Sequence, residues 1–381
     1  MDNLAQALAK EHGGDKIHNF TIGNPRVPPP KAYKDALIKI ANEDIPLCHG
    51  YSSTQGDLKP RETFATLFSE IQDVKIGAED IVLTSGCAGA INVVLRTVLS
   101  PMDEVVIVAP YFLEYPFYIE NFHATTVVLD TKFEENWQIN PEALEKVVNP
   151  QTRAIIINSP HNPTGVVLTQ KTVNDMCAVL KKKSEEYGRP IYIISDDVYC
   201  RVVGAGVKTH QIFKHYDYSV VAYSLSKDLS IPGERIGCII VNPLLQGREL
   251  LVHSLAHANE IMGFVHANRV HMRIIPEVVP ATSDIHLYDE SRKLFCDLFD
   301  ELGIQYVKPE GAFYVFPKIP DGIDEWAFCE TMAKNFIILV PGSAFAKEGF
   351  FRLSFCKPPE DIRKALPVFR TAFAEALKLK K

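Results

Sequence analysis

The middle of the chain alternates short runs of β-branched and aliphatic residues with longer stretches whose apolar residues recur at helical spacing. The runs at 81–84, 105–108, 126–129, 154–158, 191–195, 219–223 and 236–241 predict strands. Several are nearly continuous in valine and isoleucine, as in strands covered on both faces. Helices are predicted between them, for example over 88–99 and 170–187. This alternation predicts an α/β unit with a mainly parallel, seven-stranded sheet between helices.

The last third has a different rhythm. A long helical stretch over 245–271 leads into another at 288–302. Short strands follow at 312–316, 336–340 and 351–355, then a closing helix over 359–377. This order predicts a smaller α+β unit. The proline-rich segment 25–30 cannot be helical throughout, because each proline removes a backbone donor, so it is expected to cross between the units in extended form. The expected division is a large unit over 38–270 and a small one formed by 1–37 with 271–381.

A length of 381 residues suits two domains, and 46% hydrophobic with 23% charged residues is ordinary for a globular protein. The net charge of -7 argues against nucleic acid or an anionic membrane as a main partner. The eight cysteines are scattered with no CxxC pair, so they read as free thiols in a reducing compartment, and no metal site is expected. Residues 1–19 are polar and lack the apolar core of a signal peptide, and no apolar run is long enough for a membrane span. A cytoplasmic location is the expectation.

Candidate chemistry lies where the predicted strands end, the usual ligand site of α/β sheets. Ser224-Leu-Ser-Lys227 follows a strand, with Arg235 eight residues beyond the lysine. A lysine nucleophile must be desolvated or near other positive charge, while a hydroxyl and a forked guanidinium suit a phosphate. Asn158-Ser-Pro-His-Asn162-Pro-Thr-Gly165 is a tight turn that aims the Asn162 amide into the crevice. Ser195-Asp196-Asp197-Val-Tyr199 offers two carboxylates at another strand end. Thr84-Ser-Gly86-Cys87-Ala88 opens a helix with small residues, a source of free backbone N–H groups for an anion. Arg352 interrupts the apolar run Phe351-Arg-Leu-Ser-Phe355, which is costly unless the charge is paired.

Together these strings, spanning Gly23 to Arg352, resemble the fold-type I, class I/II aminotransferases that use pyridoxal 5'-phosphate (PLP). The resemblance implies that Lys227 forms the Schiff base with PLP and that Ser224 and Arg235 bind its phosphate, helped by Gly86, Cys87 and Ala88. It implies that Asp196, three residues before Tyr199, keeps the pyridine nitrogen protonated. Asp197 is then expected to be a solvated or capping carboxylate. Asn162 and Tyr199 would bond the phenolic oxygen, and Phe112, two residues after Pro110, would stack on the ring. Arg352 would read the substrate carboxylate, with Gly23 and Asn162 beside the substrate. The strings Gly311-Ala-Phe313-Tyr314 and Pro341-Gly-Ser343-Ala-Phe345 also match the family and are read as mainly structural.

Tyr51, followed by Gly56 and Leu58, matches a family tyrosine that reaches the neighbouring subunit's phosphate, which implies a homodimer with shared active sites. Two departures stand out: Arg26 occupies a place where acidic residues are common, and the N-terminal arm is short. The activity implied is ping-pong transfer of an amino group from an L-amino acid, of the aspartate/glutamate type or aromatic, to a 2-oxo acid. A PLP-dependent β-lyase shares the same motifs, and an inactive PLP-binding regulatory protein is the remaining alternative.

Overall fold

The computed structural model describes residues 2–380. Its twelve strands are β1 (His18–Asn19), β2 (Ile81–Thr84), β3 (Glu104–Ala109), β4 (Thr125–Asp130), β5 (Thr152–Asn158), β6 (Tyr192–Asp196), β7 (Ser219–Ser224), β8 (Gly237–Val241), β9 (Tyr314–Val315), β10 (Ile337–Ile338), β11 (Val340–Pro341) and β12 (Phe351–Ser354). β2 to β8 form one sheet in the order β2-β8-β7-β6-β5-β3-β4. Only β8 runs against its neighbours, pairing antiparallel with both β2 and β7. The expected fold class, α/β with a mainly parallel seven-stranded sheet, is what forms.

The continuous apolar runs are explained by two-sided burial. Along β5, Ala154 and Ile156 face one core cluster, while Ile155 and Ile157 face the other. β8 does the same, with Ile239 and Val241 on one side and Cys238 and Ile240 on the other. The helix Gly86–Val98 covers the first face together with the helix Arg248–Ile261. On the other face lies the helix Gln170–Tyr187, capped at its start by the Thr169 side chain and ended by Gly188 at φ 65°. Because β2, β3, β5, β6 and β7 run in parallel, their carboxyl ends share one edge.

β9, β11 and β12 form a three-stranded antiparallel sheet, and β1 pairs parallel with β10. These strands are shorter than the sequence pattern predicts, since Ala312, Phe313, Phe316 and Leu339 are buried in loops around two-residue pairings. The closing helix Pro359–Leu377 has the predicted bounds. The expected helix over 245–271 is instead two, Arg248–Ile261 and Arg269–Val278. Gly263 at φ 88° breaks the run, and the Asn268 side chain caps the second helix by accepting from the His271 N–H. An N-terminal helix, Asp2–His12, occupies a stretch read from sequence only as polar. All eight cysteines are free, and among the described residues no helix is long and apolar enough to cross a membrane.

Candidate active site

The carboxyl edge of the sheet opens into a cleft of about 480 Å³. Of the residues singled out from sequence, Gly23, Cys87, Ala88, Phe112, Asn162, Asp196, Tyr199, Ser224, Lys227, Arg235 and Arg352 line it. Register brings them together: Asn158 at the end of β5 pairs with Asp196 at the end of β6, and Ser224 at the end of β7 pairs with Gly237.

Lys227 lies in the loop after β7, and its Nζ donates to the Gly23 carbonyl at 3.0 Å. Burial lowers its pKa, Cys356 and Asp196 oppose that, and Arg352 and Arg235 add to it. A buried amine that sheds its proton easily is a nucleophile. Asp196, also in the lining, is buried with both oxygens engaged. Tyr115 Oη donates to Oδ2 at 2.7 Å and Cys87 Sγ donates to Oδ1 at 3.2 Å. Burial raises the pKa of Asp196, and these two donors, with the Val198 N–H and the charge of Lys227, work against the rise.

Arg352 is buried beside the cleft. Its Nη1 donates to Asn162 Oδ1 at 3.0 Å, Nη2 donates to the Thr21 carbonyl, and Nε has no partner. The guanidinium sits over the rings of Tyr314 and Phe345, at 4.8 and 4.7 Å from their centroids. The orphaned donor and the cationic fork suit an incoming carboxylate. At the other end, Gly86 opens its helix at φ 73°, and a Cβ there would stand 2.6 Å from Arg235 Nη2. Glycine therefore lets the guanidinium lie against the helix start, where free N–H groups and the helix dipole favour an anion. Ser224 Oγ, bonded to Ser226 Oγ at 2.9 Å, completes this polar end.

Several residues belong to the site that sequence reasoning missed or misread. Tyr314, whose string reads as mainly structural, lines the cleft, and its hydroxyl lies 3.0 Å from that of Tyr199. A Cβ on Gly23 would meet that hydroxyl at 1.7 Å, so glycine is required by contact. Tyr115 and the Cys87 thiol were not assigned to Asp196, because nothing local in sequence signals contacts 81 and 109 residues apart. Asp197 is a correction. It is neither solvated nor a cap but 2% exposed, bonded to Ser195 Oγ at 2.5 Å, with His210 Nε2 3.8 Å away. Burial pushes its pKa up to about 8 and pushes that of His210 down to about 4. Tyr51 is outside the cleft lining and 88% exposed. Arg26 is exposed and also outside the lining.

Residues 15–369 match the family described as aminotransferase class I and II. The chain belongs to this family. It is an enzyme of the aminotransferase type, and its cofactor is PLP. An aspartate aminotransferase of Thermotoga maritima is 29% identical over 369 residues, covering 96% of this chain and 93% of that one. An aromatic-amino-acid aminotransferase of Thermococcus litoralis is also 29% identical, covering 93% and 91%. Among solved structures, an aminotransferase from Eubacterium rectale superposes with a TM-score of 0.94 at 33% identity, covering 100% of this chain and 95% of that one. The cleft of this class I/II aminotransferase fits PLP. A cationic, glycine-opened helix start suits the phosphate, and a buried carboxylate suits the ring nitrogen.

Proposed function

We propose that the chain moves an amino group from an L-amino acid to a 2-oxo acid in this cleft. The observation that carries the reading is the convergence of a buried amine, a buried carboxylate and an unsaturated guanidinium on one cavity. Ser224, Arg235 and the backbone N–H groups of Gly86, Cys87 and Ala88 hold the phosphate. Asp196 holds a proton on the ring nitrogen, Asn162 and Tyr199 bond the phenolic oxygen, and Phe112 covers the ring face. When bound, PLP supplies the sink for the electrons released as the donor's Cα–H bond breaks. Lys227 Nζ takes that proton and returns it, and Arg352, with Asn162 and Gly23 beside it, orients the donor's carboxylate.

The cleft lining includes three cations, Lys227, Arg235 and Arg352, each used in these roles, and a further carboxylate, Glu114. The apolar and aromatic residues Ile22, Leu113, Phe112 and Tyr118 share the lining. This supports aromatic donors over the aspartate/glutamate type. The working form is a cytoplasmic homodimer in which Tyr51 completes the partner's phosphate site. The exposure of Leu47, Tyr51 and Leu250, among the most exposed of the large hydrophobic side chains, supports such an interface. We propose further that the chain divides into a large unit at 38–270 and a small unit formed by 1–37 with 271–381.

Borohydride reduction of the PLP-loaded protein followed by peptide mass spectrometry tests the assignment, with the adduct expected on Lys227. An adduct on another lysine overturns it. Single-turnover absorbance changes with phenylalanine, tyrosine and aspartate then rank the donors, and a preference for aspartate would refute the aromatic reading.

A further inference from the structure

Beside Lys227 stands a carboxylate that none of these roles uses. Asp228 is fully buried at 0% exposure. Its Oδ2 accepts from Arg201 Nη1 at 2.8 Å and from Tyr223 Oη at 2.6 Å. Arg201 Nη2 donates to the Ala281 carbonyl at 3.0 Å, and the Asp228 carbonyl accepts from the Ser283 N–H at 2.7 Å. One residue thereby ties four stretches together. They are the turn after Tyr199, the end of β7, the loop bearing Lys227, and the connector between the helices Arg269–Val278 and His286–Leu302.

Burying a guanidinium and a carboxylate is costly, and apolar residues of similar volume commonly give equal or greater stability. Filling the core therefore does not explain this trio. Nor does charge, because the bonded pair is net neutral, and burial is the largest influence on Lys227. What the trio supplies is direction. The lysine stem is flexible, so its amine can be aimed only if the backbone that bears it is held. Asp228 holds that backbone through its side chain on one side and its carbonyl on the other.

We propose that Asp228, gripped by Arg201 and Tyr223, is a positioning residue for Lys227, and that this node links the lysine's backbone to the connector at 279–285. The inference rests on reading Lys227 as the reactive amine. Two variants of the PLP-loaded enzyme test it. Tyr223→Phe removes one donor and keeps the ring contacts to Phe64 and Phe68. Arg201→Met/Asp228→Leu removes both charges and leaves none unpaired.

In both variants the PLP stoichiometry is expected to be unchanged and donor KM to stay within about twofold, as for loss of an interaction outside ground-state binding. The single-turnover rate should fall about tenfold, with a larger isotope effect for the α-deuterated donor, because the misaimed amine slows proton transfer. Amides at 225–231 and 281–285 should both exchange with solvent about tenfold faster. Lower thermal stability with unchanged rate and isotope effect would mean a merely structural pair and would overturn the proposal. Faster exchange confined to one of the two segments would overturn the link. If the double variant does not fold, Tyr223→Phe decides alone. A wild-type borohydride adduct on another lysine would sink the site reading itself, a separate result read before either variant is made.

Discussion

Asp197 and His210 share a buried site with Ser195, and their ionisation should leave a signature in the pH dependence of stability. Asp197 has its pKa raised by burial to about 8, against about 3.9 for an unfolded carboxyl. The folded state therefore holds a proton that the unfolded state releases. The stability this confers is present below the unfolded pKa and is lost as pH rises towards 8. His210 has its pKa lowered by burial to about 4, against about 6.5 unfolded. Its contribution is present above pH 6.5 and is lost as pH falls towards 4.

Between pH 4 and 6.5 the two slopes have opposite signs and cancel. From pH 6.5 to 8 only Asp197 acts, and about 1.36 kcal/mol per pH unit over that window gives about 2 kcal/mol. Asp197→Asn has no carboxyl to titrate, so its stability relative to wild type should rise by about 2 kcal/mol between pH 6.5 and 8. Denaturant unfolding at fixed protein and PLP concentration measures this. Parallel profiles for the two proteins would refute the buried, proton-holding assignment.

Asp196→Asn should fold and bind PLP yet lose turnover by orders of magnitude, since a neutral amide does not keep the ring nitrogen protonated. Steady-state kinetics on the folded variant checks this, and near-normal turnover would remove Asp196 from its role. Gly23→Ala must displace Tyr314, because the new Cβ would stand 1.7 Å from its hydroxyl. A loss in kcat/KM of roughly tenfold, about 1.4 kcal/mol, is expected with PLP retained. Mixing Lys227→Ala chains with inactive Tyr51→Ala chains should restore part of the activity through heterodimers holding one complete site. No recovery, with subunit exchange demonstrated, would count against a shared site.

Much of the fold was legible because its signals are local. Two-sided burial writes itself as unbroken aliphatic runs, and Thr169 and Gly188 bracket a helix with residues of the expected kind. The break after Ile261 also had local signals, Gly263 and the cap Asn268, which the apolar periodicity on either side concealed. The small strands were overestimated because burial in loops, as at Phe313 and Phe316, gives the same apolar pattern as burial in a sheet. In the site, the residues legible from sequence stand at strand ends in recognisable strings. Tyr115, Tyr314 and the buried state of Asp197 depend on chains of contact that close only in three dimensions.

The partners of Arg352 have a further consequence. Its two bonded nitrogens face an amide oxygen and a peptide carbonyl, both uncharged, and among the described residues no carboxylate neutralises it. A donor arriving at the cleft thus has no internal ion pair to pry apart, and the guanidinium meets it with its charge uncompensated. The same openness is indiscriminate. Acetate or formate presents the same two oxygens, so either is expected to compete with the donor's carboxylate for Arg352. The choice of guest then falls to whatever contacts the rest of the molecule.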